Sequence, residues 1–406
     1  MSMAQVIALL GGLLALAFVA NRLSSWTKVP DVIVLLTVGL LFGPVFKLLQ
    51  PSQFQPVTPI LGTLALILVL FEGGLELNLR ETLHHFPGSL LLATLAYGLS
   101  VGAVWLLASR GLHLPSRAAV LFGAVLGCTS STVVLPILQQ IAASHRVKVT
   151  LMLEASWADV LAVLTVGALV NIPAGGVVGS LAQKLALQIL GSIAIAALLG
   201  GLWTRLLPHL SEARYWQVLT FSIVLLLYAA TESFGGNGLI AALAFGLTLS
   251  NVPRMSGRLG ENFFGLGLPP EAQHERILAF HSELSFLVRT FFFVLIGVVV
   301  ELRGLRGRAL LTAGIMAALF LARWIAVQAS RWSWKDFSSR DRELITLLLP
   351  RGLITVVLAL QAIPVLGPDY SFLTSLAFAI ILLSNLLVVV ASFRSKSPGL
   401  ASAASG

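Results

Sequence analysis

Between residues 3 and 393 the chain is a succession of apolar runs joined by short polar stretches. The runs fall at approximately 3–21, 30–49, 57–78, 88–109, 116–142, 149–171, 180–207, 213–233, 236–252, 278–300, 308–332, 341–364 and 371–393. Each is near the length a helix needs to cross hydrocarbon. Inside a bilayer every backbone polar group must be paired within the protein, and a helix does this within one segment. The expectation is an all-α polytopic membrane protein with about 13 transmembrane helices. Composition excludes the alternative of a soluble protein with a large core. Only 11% of the 406 residues are charged, where a soluble domain carries about a quarter.

The net charge of +9 does not point to nucleic acid. The basic residues lie in the joints, where they orient helices. With the N-terminus outside, roughly 16 Lys/Arg fall in inside loops and about 7 in outside loops. Arg22, Lys28, Arg146, Lys148, Arg254, Arg258, Arg331 and Lys335 are on the inside; Arg303, Arg306 and Arg308 are the outside exception. This gives an N-out, C-in topology. The N-terminal stretch lacks a basic leader and a small-residue cleavage site, so it is expected to remain as the first helix. The single cysteine, Cys128, excludes an internal disulfide framework and a cysteine-based metal site.

The chain also repeats itself. STVVL at 131–135 matches ITVVL at 354–358, and VLFEGGLEL at 69–77 matches VLIGVVVEL at 294–302. The two offsets are nearly equal, and the partners stand seven segments apart, an odd number, so they run in opposite directions. Inverted repeats of this kind are common in secondary transporters.

The fifth and twelfth segments are expected to be discontinuous. GCTSSTVVLP (127–136) puts glycine, proline and four hydroxyl residues into the middle of one; LLLPRGLITVV (347–357) puts Pro350, Arg351 and Gly352 into the other. Backbone groups freed by such breaks survive in a membrane only when buried in protein or lining a wet cavity. Paired breaks in two repeats are a pointer to an ion or substrate site.

The stretch LEASWADVLAVL (153–164) adds two carboxylates to this setting. Asp159 lies about ten residues into the sixth segment, at a depth where a carboxylate costs roughly 2.5–3.5 kcal/mol on insertion scales. Glu154 projects about 140° away from it, so the two cannot share one proton as a close dyad. Arg323, in LFLARWIAVQ of the eleventh segment, is also deep and always charged; it is the expected partner of Glu154. Asp159 is then left as the free titratable group. Arg351 is placed to act on its charge or on half-helix carbonyls. Glu72 and Glu76 end the third segment, either at the headgroups or as a funnel wall. Histidines are confined to loops and helix ends, and no lysine sits in the membrane core to exchange a second proton.

Taken in order, these motifs resemble the monovalent cation:proton antiporter superfamily, which includes sodium/proton exchangers and glutathione-gated potassium efflux transporters. FEGGLEL at 71–77, Thr129 to Thr132, Glu154 with Asp159, Arg323, FFFVLIG at 291–297 and PRGLITVVLAL at 350–360 carry the resemblance over essentially the whole chain. It departs at Ala158, where that superfamily usually has an asparagine or aspartate before the ion-binding aspartate. The resemblance implies two inverted repeats with crossed discontinuous segments 5 and 12, within one transporter domain over residues 1–400. Residues 88–171 and 308–393 would form a mobile core, 3–78 and 213–300 a dimerisation scaffold, 180–207 a linker helix and 394–406 a short tail.

The expected function is exchange of a monovalent cation for a proton, with no enzyme activity and no cofactor. Sodium is the first choice, with potassium or lithium as alternatives. Ionised Asp159 would bind the dehydrated cation with Thr129, Ser130 or Ser156; protonated, it would release it. One carboxylate and no core lysine imply one cation per proton, an electroneutral exchange. A cation-coupled symporter and a channel of related architecture are the rivals. An intramembrane aspartyl protease is excluded for want of a second deep aspartate. The implied partners are the cation, the proton, the bilayer and a second copy of the chain, not nucleic acid, and the compact form suggests a bacterial plasma (inner) membrane.

Overall fold

The computed structural model describes residues 3–27, 29–54, 56–77, 79–141, 143–171, 178–210, 214–259, 271–301, 305, 307–333 and 337–394. Lys28, Arg303, Arg306, Lys335 and Lys396, and residues 395–406 of the tail, lie outside them. Among the described residues the secondary structure is entirely helical. In chain order the helices are α1 (Met3–Thr27), α2 (Asp31–Leu40), α3 (Pro51–Phe54), α4 (Thr58–Glu76), α5 (Leu79–Gly111), α6 (Ser116–Leu126), α7 (Ser131–Gln140), α8 (His145–Asn171), α9 (Val178–Leu210), α10 (Trp216–Ser233), α11 (Gly238–Leu259), α12 (Glu271–Val299), α13 (Ala309–Ala329), α14 (Ser339–Leu347), α15 (Leu353–Leu366) and α16 (Phe372–Arg394).

Nine stretches among the described residues are long and apolar enough to cross a membrane. Shorter apolar helices at Gly11–Ser24, Asp31–Val45, Gly238–Asn251 and Leu353–Leu366 fall on the remaining segments read from the sequence.

The chain divides into two compact units. The first comprises Met1–Ile60, His85–Val166 and Thr290–Gly406; the second comprises Leu61–His84 and Gly167–Arg289. In the first, α15 packs on α6 and α16, and α13 on α14 and α16. Gly39 of α2 meets Gly297 of α12 so closely that a Cβ at Gly39 would lie 2.8 Å from the Gly297 Cα. Small residues let helices approach in this way where lipid supplies no hydrophobic drive between them. In the second unit, α11 packs on α9 and α10.

Both interrupted segments lie in the first unit. The fifth becomes α6 and α7, separated by Gly127–Ser130; the twelfth becomes α14 and α15, separated by Leu348–Gly352. Proline 350 removes a backbone donor and biases Leu349 away from helical angles, which ends α14. Pro136 behaves differently. It lies inside α7, where it removes one helical hydrogen bond without ending the helix. The α14 start is fixed by a capping box: the Asp341 N–H donates to Ser338 Oγ at 3.1 Å, and the Ser338 N–H donates to Asp341 Oδ2 at 3.0 Å.

Candidate functional site

The two breaks meet. The Ser130 N–H, at the N-cap of α7, donates to the Pro350 carbonyl at 2.9 Å. Each break thereby satisfies a backbone group that the other leaves open, which is the condition for irregular chain at membrane depth. Gly352 is required at the crossing. A Cβ there would run into the Ser130 hydroxyl and lie 2.9 Å from Ser130 Cβ. The Arg351 guanidinium donates from Nη1 to Thr129 Oγ1 at 3.0 Å, a second tie between the breaks. Ser130 Oγ in turn lies 2.8 Å from Thr132 Oγ1.

Asp159 of α8 faces the start of α7. Its Oδ2 accepts from the Ser131 hydroxyl and, at 3.3 Å, from the Ser131 N–H; its Oδ1 accepts from the Cys128 thiol at 3.2 Å. Ser131 is the first residue of a half-helix, so its N–H belongs to the positive end of the helix dipole. Asp159 is 1% exposed. Its partners are neutral donors, and it makes no ion pair among the described residues. Such a carboxylate can take a proton or a cation, because no fixed countercharge already occupies it.

Glu154, 0% exposed, is treated otherwise. Arg323 of α13 grips it with both terminal nitrogens, Nη1 to Oε1 at 2.6 Å and Nη2 to Oε2 at 3.1 Å. The same guanidinium donates from Nε to the Ile345 carbonyl at 3.1 Å and from Nη2 to the Leu348 carbonyl at 3.2 Å. These carbonyls belong to the last turn and C-cap of α14, where a helix leaves acceptors unpaired. One arginine thus neutralises a buried charge and finishes a buried helix end.

The second break is held from α16. The Arg351 N–H donates to Ser384 Oγ at 3.0 Å, and Asn385 Nδ2 donates to the Arg351 and Ile381 carbonyls, each at 2.8 Å. Arg351 is 2% exposed, and its Nε has no partner among the described residues.

Asp159, Glu154, Arg323, Arg351, Thr129 and Ser130 therefore all belong to the first unit, at or beside the two breaks. Ser156 lies one turn before Asp159 on α8 and is half-buried. Glu72 and Glu76 belong to the second unit, where the Ser282 hydroxyl donates to Glu72 Oε1. Ser131 was read among the hydroxyls of the first break and Cys128 as the lone thiol, but neither as a donor to Asp159; Ser384 and Asn385 went unread in the sequence. Asn385 carried a usable signal, since a lone amide inside ILLSNLLVVV is costly at that depth unless it has partners.

Comparison with known proteins finds relatives of the chain. The family described as "Sodium/hydrogen exchanger, transmembrane" matches residues 12–393. The Na(+)/H(+) antiporter 1 of Methanocaldococcus jannaschii is 24% identical over 373 residues, covering 88% of this chain and 83% of that protein. The K(+)/H(+) antiporter NhaP2 of a Shewanella species (strain MR-4) is 27% identical over 388 residues, covering 93% of this chain. The chain spans 64% of that relative's length. The solved structure of the sodium proton antiporter MjNhaP1 from Methanocaldococcus jannaschii has the same fold, with a TM-score of 0.77 at 20% identity over 97% of this chain and 96% of that one.

Proposed function

The chain belongs to the sodium/hydrogen exchanger family, and from that premise we propose that it is a secondary antiporter exchanging a monovalent cation for a proton across a membrane. The observation that carries this is Asp159: a buried carboxylate against the first helix break, held by neutral donors while its neighbour Glu154 is already neutralised by Arg323. The family's names for relatives supply both sodium and potassium as substrates. Sodium is taken as the first candidate, with potassium and lithium as the alternatives.

In the proposed cycle, ionised Asp159 binds a dehydrated cation. Oxygen ligands come from the breaks and from α8, with Thr129, Ser130 and Ser156 as candidates. A proton arriving at the same carboxylate releases the cation. Either occupant neutralises the site enough for it to move between the two sides, and the bare carboxylate does not. Glu154, Arg323 and Arg351 hold the geometry and balance charge. One free carboxylate gives one cation per proton. Core helices 88–171 and 308–393 would move against a scaffold of 3–78 and 213–300 that pairs with a second copy, in a bacterial plasma membrane with the N-terminus outside. Glu72 and Glu76 would line an approach.

The test is proton flux in proteoliposomes holding an imposed pH gradient, with sodium, potassium or lithium added in turn. One cation is expected to collapse the gradient with the wild type and not with Asp159→Asn. No flux with any cation, or flux unchanged in Asp159→Asn, would overturn the assignment. Solute-stimulated sodium uptake without proton movement would identify a symporter, and currents far above about 10³ ions per second a channel.

A further inference from the structure

A groove of about 450 Å³ runs between α13 and α14, lined by Phe320, Trp324, Gln328 and Arg331 on one side and by Ser339, Arg342, Glu343, Thr346 and Leu347 on the other. On α13, Phe320, Trp324 and Gln328 are four residues apart, and Arg331 follows the end of that helix in a short 3-10 turn; on α14, Ser339, Arg342 and Thr346 stand three and four apart, and Ser339, Glu343 and Leu347 four apart. Each set is therefore one face of its helix, and the α13 face from Phe320 to Gln328 alone extends about 12 Å, with Arg331 beyond it. The groove has a chemical gradient along that length. Phe320, Trp324 and Leu347 make one end apolar, and Trp324 is 47% exposed. Arg331, Arg342, Gln328 and Ser339 make the other end polar and basic. Arg342 Nη2 donates to Ser339 Oγ at 3.3 Å, which orients its guanidinium at the start of α14. Glu343 is the carboxylate of the lining, and Asp341 is engaged in the capping box. The two arginines leave the lining with a net positive charge.

We propose that this groove is a binding site for an anionic phospholipid, its phosphate at Arg331 and Arg342 and the upper part of an acyl chain along Phe320, Trp324 and Leu347. Charge complementarity and the apolar gradient together select this occupant: a free anion would leave the apolar half bare, and a zwitterionic lipid would gain nothing from the net charge. The basic end lies on the face that the loop charges assign to the inside, where anionic lipid meets juxtamembrane arginines. The proposal concerns a lipid and does not depend on which ion the protein exchanges.

The experiment uses the full chain in liposomes doped with brominated phosphatidylglycerol or, at equal mole fraction, brominated phosphatidylcholine. Quenching by bromine is read as the difference between wild type and Trp324→Phe, which isolates the Trp324 signal. The expected result is about fivefold stronger apparent binding of the anionic lipid, the preference one net basic charge gives at a membrane surface. That preference is expected to vanish in Arg331→Ala/Arg342→Ala and to survive in Arg331→Lys/Arg342→Lys. Equal quenching by the two lipids with the wild type, or an undiminished preference in the alanine variant, would overturn the proposal. So would relief of quenching by millimolar inorganic phosphate, which would mark a site for free anions.

Discussion

Arg323 binds both carboxylate oxygens of Glu154 and, with the same guanidinium, the carbonyls of Ile345 and Leu348. Arg323→Ala would leave a buried charge and two helix-end acceptors without partners, a loss on the scale of about 3–5 kcal/mol. Arg323→Lys is expected to rescue little, since one ammonium cannot reproduce the planar fork. Thermal unfolding in detergent should rank wild type well above both. The double variant Glu154→Gln/Arg323→Gln should lose less than the sum of its single changes, because removing both charges leaves neither stranded.

The competition proposed at Asp159 fixes the sign of the expected pH response. As pH falls, protons occupy Asp159 and the apparent KM for the cation rises, by about tenfold per pH unit once the protonated form dominates. As pH rises, proton supply limits turnover. Exchange measured at equal pH on both sides should therefore trace a bell between pH 5 and 9. A flat profile over that range would count against exchange at a single carboxylate.

Gly352→Ala inserts a methyl group where the Ser130 side chain already stands. Separating the breaks by even a few tenths of an ångström weakens the Ser130–Pro350 hydrogen bond, and both transport rate and melting temperature should fall. Gly314→Ala is the matched control. Nothing lies within 4 Å of its added methyl, and α13 should gain about 0.5–1 kcal/mol from the better helix former. Side-by-side melting curves decide whether the first effect is local to the crossing.

Asn385 holds the Arg351 carbonyl from α16. Asn385→Ala strands that carbonyl and should cost about 1–3 kcal/mol, the range for an unsatisfied buried acceptor. Asn385→Asp should be worse, because an acceptor replaces the donor facing a carbonyl oxygen. Calorimetry in detergent, with transport assayed on the same preparations, checks both.

The helical segments and the two breaks were legible because each is a local property: apolar length in one case, glycine and proline chemistry in the other. Glu154, Asp159 and Arg323 stood out for a related reason, since charge at that depth has few explanations. The donors to Asp159 were only half legible: Ser131 was read among the hydroxyls of the first break and Cys128 as a lone thiol, neither as a partner of Asp159. Ser131 and Cys128 stand about 30 residues away in sequence, and only the turn at Gly127–Ser130 aims them at α8. Pro136 shows the converse. Its chemistry suggested part of the break, yet α7 runs through it, since the loss of one hydrogen bond is small beside the packing of a buried helix. The second task of Arg323, at the end of α14, depends on where two helices meet and left no trace in either segment alone.

The hydrogen bond from Ser130 to Pro350 joins residues separated by more than half the chain. During synthesis the first break, with Asp159 and Glu154 beside it, therefore enters the membrane long before its partners exist. Those groups must wait near water, in the translocation machinery or in a loosely packed intermediate, until the ribosome delivers Arg323 and the second break. Biogenesis of this protein is therefore expected to have a late commitment step, and truncations that stop short of residue 350 should be cleared by quality control rather than accumulate as a stable half.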